Sequence, residues 1–170
     1  MLQLREDLAF QLKNLLLSIP KDKLGEQDGS TFRAVTMRRK LVEILKASNA
    51  AYEGRVEAVD ALVKAAQDKV NANRDEINAL PGSDEEKLAE SSKFAKEVDT
   101  ELIPALQAVG EVLFVQKPSG NLLMLKSDAM VDLDLEDRHV DFLKERVDKH
   151  GIDAFIQEDD LVAVGEALGM

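Results

Sequence analysis

The chain has 170 residues, no cysteine, and 33 acidic against 22 basic side chains, for a formal charge of −11. That length suits a single domain over 1–170, and the negative charge repels nucleic-acid backbones and anionic membranes, so neither is expected as a partner. Without cysteine, disulfides, thiolate metal ligation and a cysteine nucleophile are excluded.

The opening Met1-Leu-Gln-Leu-Arg-Glu-Asp lacks a basic leader and a small-residue cleavage site, and no apolar run approaches the length of a membrane span. The expectation is a soluble protein, cytoplasmic at synthesis. Leu4, Leu8, Leu12, Leu15 and Ile19 sit at helical spacing and predict an amphipathic helix over 4–19, ended by Pro20. Residues 20–31 are rich in charge and glycine and read as a flexible loop, with Ser30 or Thr31 as the N-cap of the next helix.

From Phe32 to Leu80 the chain runs 49 residues without proline and with one glycine, Gly54. Arg33, Arg38, Arg39 and Lys40 form its densest basic group, read as a solvated face or an ion-pair partner for Glu43. Leu41, Ile44 and Leu45 suit the first helix. From Tyr52 onward a second seam begins, through Tyr52, Val56, Val59, Val63, Ala66, Val70, Asn73, Ile77 and Leu80, the pattern of a helix lying against another helix. Tyr52, Val56, Val59, Val63, Val70 and Ile77 are the candidate interaction seam, with Asn73 as a polar residue that favours one register. Gly54 reads as a point of bending or close packing inside one long helix.

Leu80-Pro-Gly-Ser-Asp predicts a turn, with Ser83 or Asp84 capping a second arm that carries Leu88, Ser91, Ala95, Val98, Leu102, Ala105 and Val109. Arms joined by so short a turn run antiparallel, and at about 28 residues each they reach about 40 Å. Pro104 should kink or restart the second arm. Val112–Gln116 and Leu122–Lys126, around Pro118-Ser-Gly-Asn, predict a β-hairpin; Val131, Leu133 and Leu135 alternate as a third strand facing inward. A helix is expected over 136–149, closed by Gly151, then an edge strand over 152–156 and a final helix over 159–168. Phe94, Phe114, Phe142 and Phe155 are expected to anchor the core. The fold class is therefore mainly α (α+β): a long antiparallel helical hairpin with an N-terminal helix (1–111), and a small β-hairpin-containing base with C-terminal helices (112–170).

Candidate chemistry is sparse. Asp132, Asp134, Glu136, Asp137 and His139 superficially suggest a cation site, but a calcium loop needs glycine at its sixth position and glutamate at its twelfth, where this segment has Asp137 and Leu143. His139 and His150 lack the spacing of paired metal ligands and read as surface or boundary residues. Ser119 lies in a plain turn, not a nucleophile elbow, and no phosphate-cradling glycine loop occurs. No catalytic residue, cofactor or metal is assigned, and the chain is expected not to be an enzyme.

Three stretches carry a resemblance: Phe32-Arg-Ala-Val-Thr-Met-Arg-Arg-Lys-Leu-Val-Glu-Ile-Leu, the step Tyr52-Glu-Gly-Arg, and Lys93-Phe-Ala-Lys-Glu-Val-Asp-Thr-Glu-Leu in the second arm. Together with the order of elements, these resemble a family of small phage proteins of uncharacterised function encoded among virion-morphogenesis genes. The likeness covers the organisation of about the first 145 residues, through degenerate helix-forming patterns; residues 152–170 have no counterpart. It implies a structural or assembly role, in the host cytoplasm or the virion, and carries over no catalytic residue. The leading expectation is a non-enzymatic protein that binds a protein partner, or itself as a homo-oligomer, through its helical hairpin. The alternatives are an acidic inhibitor or regulator of a host nucleic-acid-binding protein, and a metal-dependent enzyme using Asp132, Asp134 and Glu136.

Overall fold

Asn49 divides the long proline-free run. In the computed structural model, which describes residues 1–25, 29, 31–117 and 120–170, helix α2 spans Phe32–Ser48 and α3 spans Ala50–Ala79. Asn49 has φ −119° and ψ 20°, and its buried side-chain amide donates to the Glu6 carbonyl at 2.8 Å. A side chain bonded to backbone elsewhere competes with helix continuation, which is how asparagine ends α2. This corrects the expectation of one helix bent or closely packed at Gly54. That glycine is exposed inside α3, with nothing within 4 Å of where a Cβ would stand.

The protein is mainly helical with small two-stranded antiparallel sheets. It forms two compact units: Met1–Glu53 with Ser127–Met170, and Gly54–Lys126. The β-hairpin thus groups with the helical arms, and the N-terminal helix with the C-terminal ones.

In the first unit, strand β1 (Leu2–Arg5) leads directly into α1 (Glu6–Ser18). The sequence pattern merged the two, because Leu4 fits both a period of two with Leu2 and a helical step to Leu8. The choice is made by pairing with β4 (Met130–Leu133), in the register Leu2↔Leu133 and Leu4↔Val131. Val131 and Leu133 face the core as the alternation predicts, with Leu135 packed against it. Helix α1 is central: Leu8, Ala9, Leu12, Leu15 and Leu16 are buried, and so are Asp7, Gln11 and Lys13 on its other sides. Leu41 and Leu45 of α2 complete one wall of the same cluster. Arg38 Nη1 donates to the Ile19 carbonyl beyond the end of α1 at 2.8 Å, and Thr31 Oγ1 caps α2 by accepting from the Ala34 N–H at 3.2 Å. Ser30, the other cap candidate, and part of the expected flexible loop lie outside the described residues.

Helix α5 covers Asp137–Ala154 and α6 covers Glu158–Leu168. Two expectations fail here. Gly151 does not close α5 but lies within it, where an added Cβ would stand 2.5 Å from Leu161 Cδ1 of α6; the glycine serves a close approach of the two helices. The edge strand over 152–156 is instead the last turn of α5 and its cap residue Phe155, whose buried ring anchors the connection.

In the second unit, α3 and α4 (Asp84–Val109) pack against each other as a hairpin. Its turn uses Gly82 at φ 145°, a conformation that side chains disfavour, and Ser83 caps α4 in a reciprocal box with Glu86 (3.3 and 3.1 Å). Pro104 does not restart the arm, since α4 runs through it. Strands β2 (Val112–Lys117) and β3 (Gly120–Leu125) pair as predicted, with Pro118 and Ser119 of the expected turn outside the described residues. β4 does not extend this sheet. Phe114 is 66% exposed rather than a core anchor, since a strand side chain stands off the sheet face and nothing among the described residues covers it there.

Candidate functional site

The expected seam is present in the helical hairpin, but Tyr52 does not belong to it. Tyr52 is buried in the first unit, edge-on to Phe10 of α1 with ring centroids 5.5 Å apart. Beside it Lys13 lies 4.2 Å over the Phe10 ring and pairs with Glu53 at 2.7 Å, so the first turn of α3 is tied to α1. The apolar step from Tyr52 to Val56 is unbroken in the sequence, which hid this change of partner.

From Val56 onward the seam belongs to the hairpin. Val59 and Ile77 are buried, whereas Val56, Val63, Ala66 and Val70 are half-buried. On α4 the matching side chains are Val98 and Leu106, both buried, with Ala95, Leu102 and Ala105 half-covered. Two polar contacts across the helices agree with the antiparallel arrangement: Lys69 Nζ to Glu101 Oε2 at 3.5 Å, and Lys87 Nζ to the Asn78 carbonyl at 3.3 Å. The first pair is solvated and adds little stability. Leu88 at 69% exposure and Ile103 at 47% remain open on α4. Asn73 is half-buried on the seam, and its Oδ1 is shielded from solvent without a hydrogen-bond partner among the described residues.

Two side chains of the acidic stretch after Met130 have internal partners. Asp132 accepts from Gln3 Nε2 at 2.8 Å, and Glu136 pairs with Arg138 at 2.7 Å and Lys40 at 3.7 Å. The Arg138 hydrogen bond holds the Glu136 carboxyl below its ordinary range. No group of three or more histidine, aspartate or glutamate side chains able to hold a metal occurs among the described residues. His139, expected near the surface, is 1% exposed, and its Nδ1 accepts the Glu136 backbone N–H at 3.1 Å, closing the start of α5. Burial, with Lys40 and Arg138 nearby, pushes its pKa down from 6.5 against the pull of Glu136. His150 is half-buried.

Two polar clusters went unread in the sequence. Arg5 bridges Asp7 (3.1 Å) and Asp160 (2.9 Å), Gln11 Nε2 donates to the same Asp160 at 3.1 Å, and Gln11 Oε1 accepts the Ile156 N–H at 3.1 Å. Arg146, 2% exposed, donates to the Leu24 carbonyl and lies 4.3 Å over the Phe142 ring. The partners are up to 155 residues apart in sequence, so no local signal marks them. The first cluster fastens β1 and α1 to α6, and the second ties α5 to the backbone at Leu24. A cleft of about 530 Å³ beside Arg146, lined by Met37, Arg138, Asp141 and Glu145, mixes both charges and offers no converging set of acid, base and nucleophile. Arg39 pairs with Glu43 at 3.1 Å, an exposed contact one helical turn long.

No protein-family model matches this chain, and neither does any curated protein or any solved structure.

Proposed function

We propose that the protein is a non-enzymatic interaction protein that binds a protein partner through its helical hairpin, in the role of a phage structural or assembly component. The observation that carries this reading is the half-covered seam: Val56, Val63 and Val70 remain partly open, and Leu88 and Ile103 are uncovered on the facing arm. Two helices alone bury a narrow strip, and a third surface laid along such a strip removes further apolar area from water at about 25 cal/mol per Å². The phage role rests on the sequence resemblance, and the assembly role on the hairpin's contact surface.

Affinity purification from the native host, repeated with the double variant Leu88→Glu/Ile103→Glu, tests it. Both positions are exposed, so the fold should survive and the partner should be lost. A complex held by apolar contact persists as salt is raised, whereas one held by a charged surface mimicking nucleic acid dissolves. Retention of the partner by the double variant, or recovery of no partner with a monomer in light scattering, counts against the reading.

A further inference from the structure

Helices α2 and α5 bound a groove whose charge is the reverse of the chain's. Two adjoining clefts, of about 530 and 280 Å³, share Arg33, Met37 and Arg138 and so form one trough between the N-terminal halves of the two helices. The smaller cleft is lined by Phe32, Arg33, Met37, Lys40 and Arg138, with the buried His139 in its wall. Three cations stand here against one nearby carboxylate: Glu136 holds Arg138 at 2.7 Å and Lys40 at 3.7 Å, while Arg33 is exposed and has no ion pair among the described residues. In a chain of formal charge −11 that is a local excess of positive charge.

Two further features of this cleft call for an occupant. Phe32 is 89% exposed, more than any other large apolar side chain among the described residues. His139 Nδ1 accepts the Glu136 N–H, which leaves Nε2 to carry the proton, and that buried donor has no partner among the described residues. An unmade buried donor is a cost that an acceptor brought to it removes. Phenylalanine, methionine and arginine are also the side chains that the centres of protein interfaces favour.

The walls choose between occupants. A small-molecule site encloses most of its ligand, whereas Phe32, Arg33, Lys40 and Arg138 are all exposed and leave this trough open. A nucleic acid would carry its phosphates past the groove onto a surface of their own sign. A short acidic stretch of protein places charge only where the cations are, and its apolar side chains cover Phe32 and Met37. The geometry points to this groove as a docking site for an acidic segment of a partner protein, with a large apolar side chain against Phe32 and Met37 and carboxylates on Arg33, Lys40 and Arg138. Opposite charge on the two sides speeds encounter and rejects basic partners. The groove belongs to the first unit and the hairpin seam to the second, so either surface can fail without the other.

The test is selection from a displayed library of random short peptides against the full chain, followed by fluorescence anisotropy with the peptides recovered. These should carry several carboxylates beside a large apolar side chain. Arg33→Glu and Phe32→Ser change exposed side chains and should leave the far-ultraviolet spectrum as it is, yet each should raise the peptide Kd about tenfold. Lys64→Glu, the same change of charge at an exposed site of α3, should bind as the unaltered chain does, and so should Leu88→Glu/Ile103→Glu. Failure to recover such peptides, equal losses in Arg33→Glu and Lys64→Glu, or a loss in Leu88→Glu/Ile103→Glu without one in Phe32→Ser overturns the proposal. Displacement of the peptide by inorganic phosphate or by a single-stranded oligonucleotide at the peptide's own concentration would assign the groove to phosphate, and overturns it too.

Discussion

His139 shows how one side chain couples charge to folding. Its Nδ1 accepts a backbone N–H, so the neutral ring with its proton on Nε2 is the form that fits. Protonation would set a donor against a donor inside a buried site. With the folded pKa below 6.5, the unfolded chain binds the proton more readily, and stability falls as pH drops through 6.5 toward the folded value. Above 6.5 the ring is neutral in both states and contributes no slope. Urea titrations between about pH 7.5 and 5 should show this loss, and His139→Gln should flatten that part of the profile. Asp160 is a second sensitive position, since it accepts from both Arg5 and Gln11 while 3% exposed. Asp160→Ala leaves the Gln11 amide without its acceptor and Arg5 with Asp7 alone, and should cost about 2 kcal/mol in chemical denaturation, with Asp160→Asn recovering part of it. Gly54→Ala should do the reverse. The site is open, helical and free of positive φ, so alanine should add about 0.5–1 kcal/mol.

Among the elements, the hairpin is governed by its turn and by one polar seam residue. Ser83 and Glu86 satisfy two donors that α4 would otherwise leave open, and Ser83→Ala should destabilise the hairpin by about 1 kcal/mol. Asn73 holds a shielded carbonyl oxygen without a partner among the described residues, which costs free energy that leucine would not. Asn73→Leu should therefore raise the melting temperature while relaxing the register of the arms, read as broadened seam resonances in methyl NMR. The separation of α2 from α3 also turns on one asparagine. The Ser48-Asn49 step carries a stop signal, but forty-nine residues of uninterrupted helical pattern outweigh it until Asn49 finds the Glu6 carbonyl.

Across the molecule, burial is uneven between the two units. The cluster around α1 contains most of the fully buried apolar side chains, whereas those of Gly54–Lys126 are Val59, Ile77, Val98, Leu106, Met124 and Leu125 among the described residues. Hydrogen exchange should be slowest in α1 and faster along α3 and α4, because local opening of the hairpin exposes less apolar surface. Equal protection in both would contradict that ordering. The helical hairpin, its turn and cap, the β-hairpin and the C-terminal helices were all legible in the chain alone, since each rests on spacing, capping and turn chemistry within a few residues. Tertiary contact was needed to make Leu2–Arg5 a strand, to draw Tyr52 out of the seam, to keep Gly151 within its helix and to bury His139, Arg146 and Asp160. Each of those outcomes depends on a partner distant in the chain, and local periodicity holds no record of which distant group will arrive.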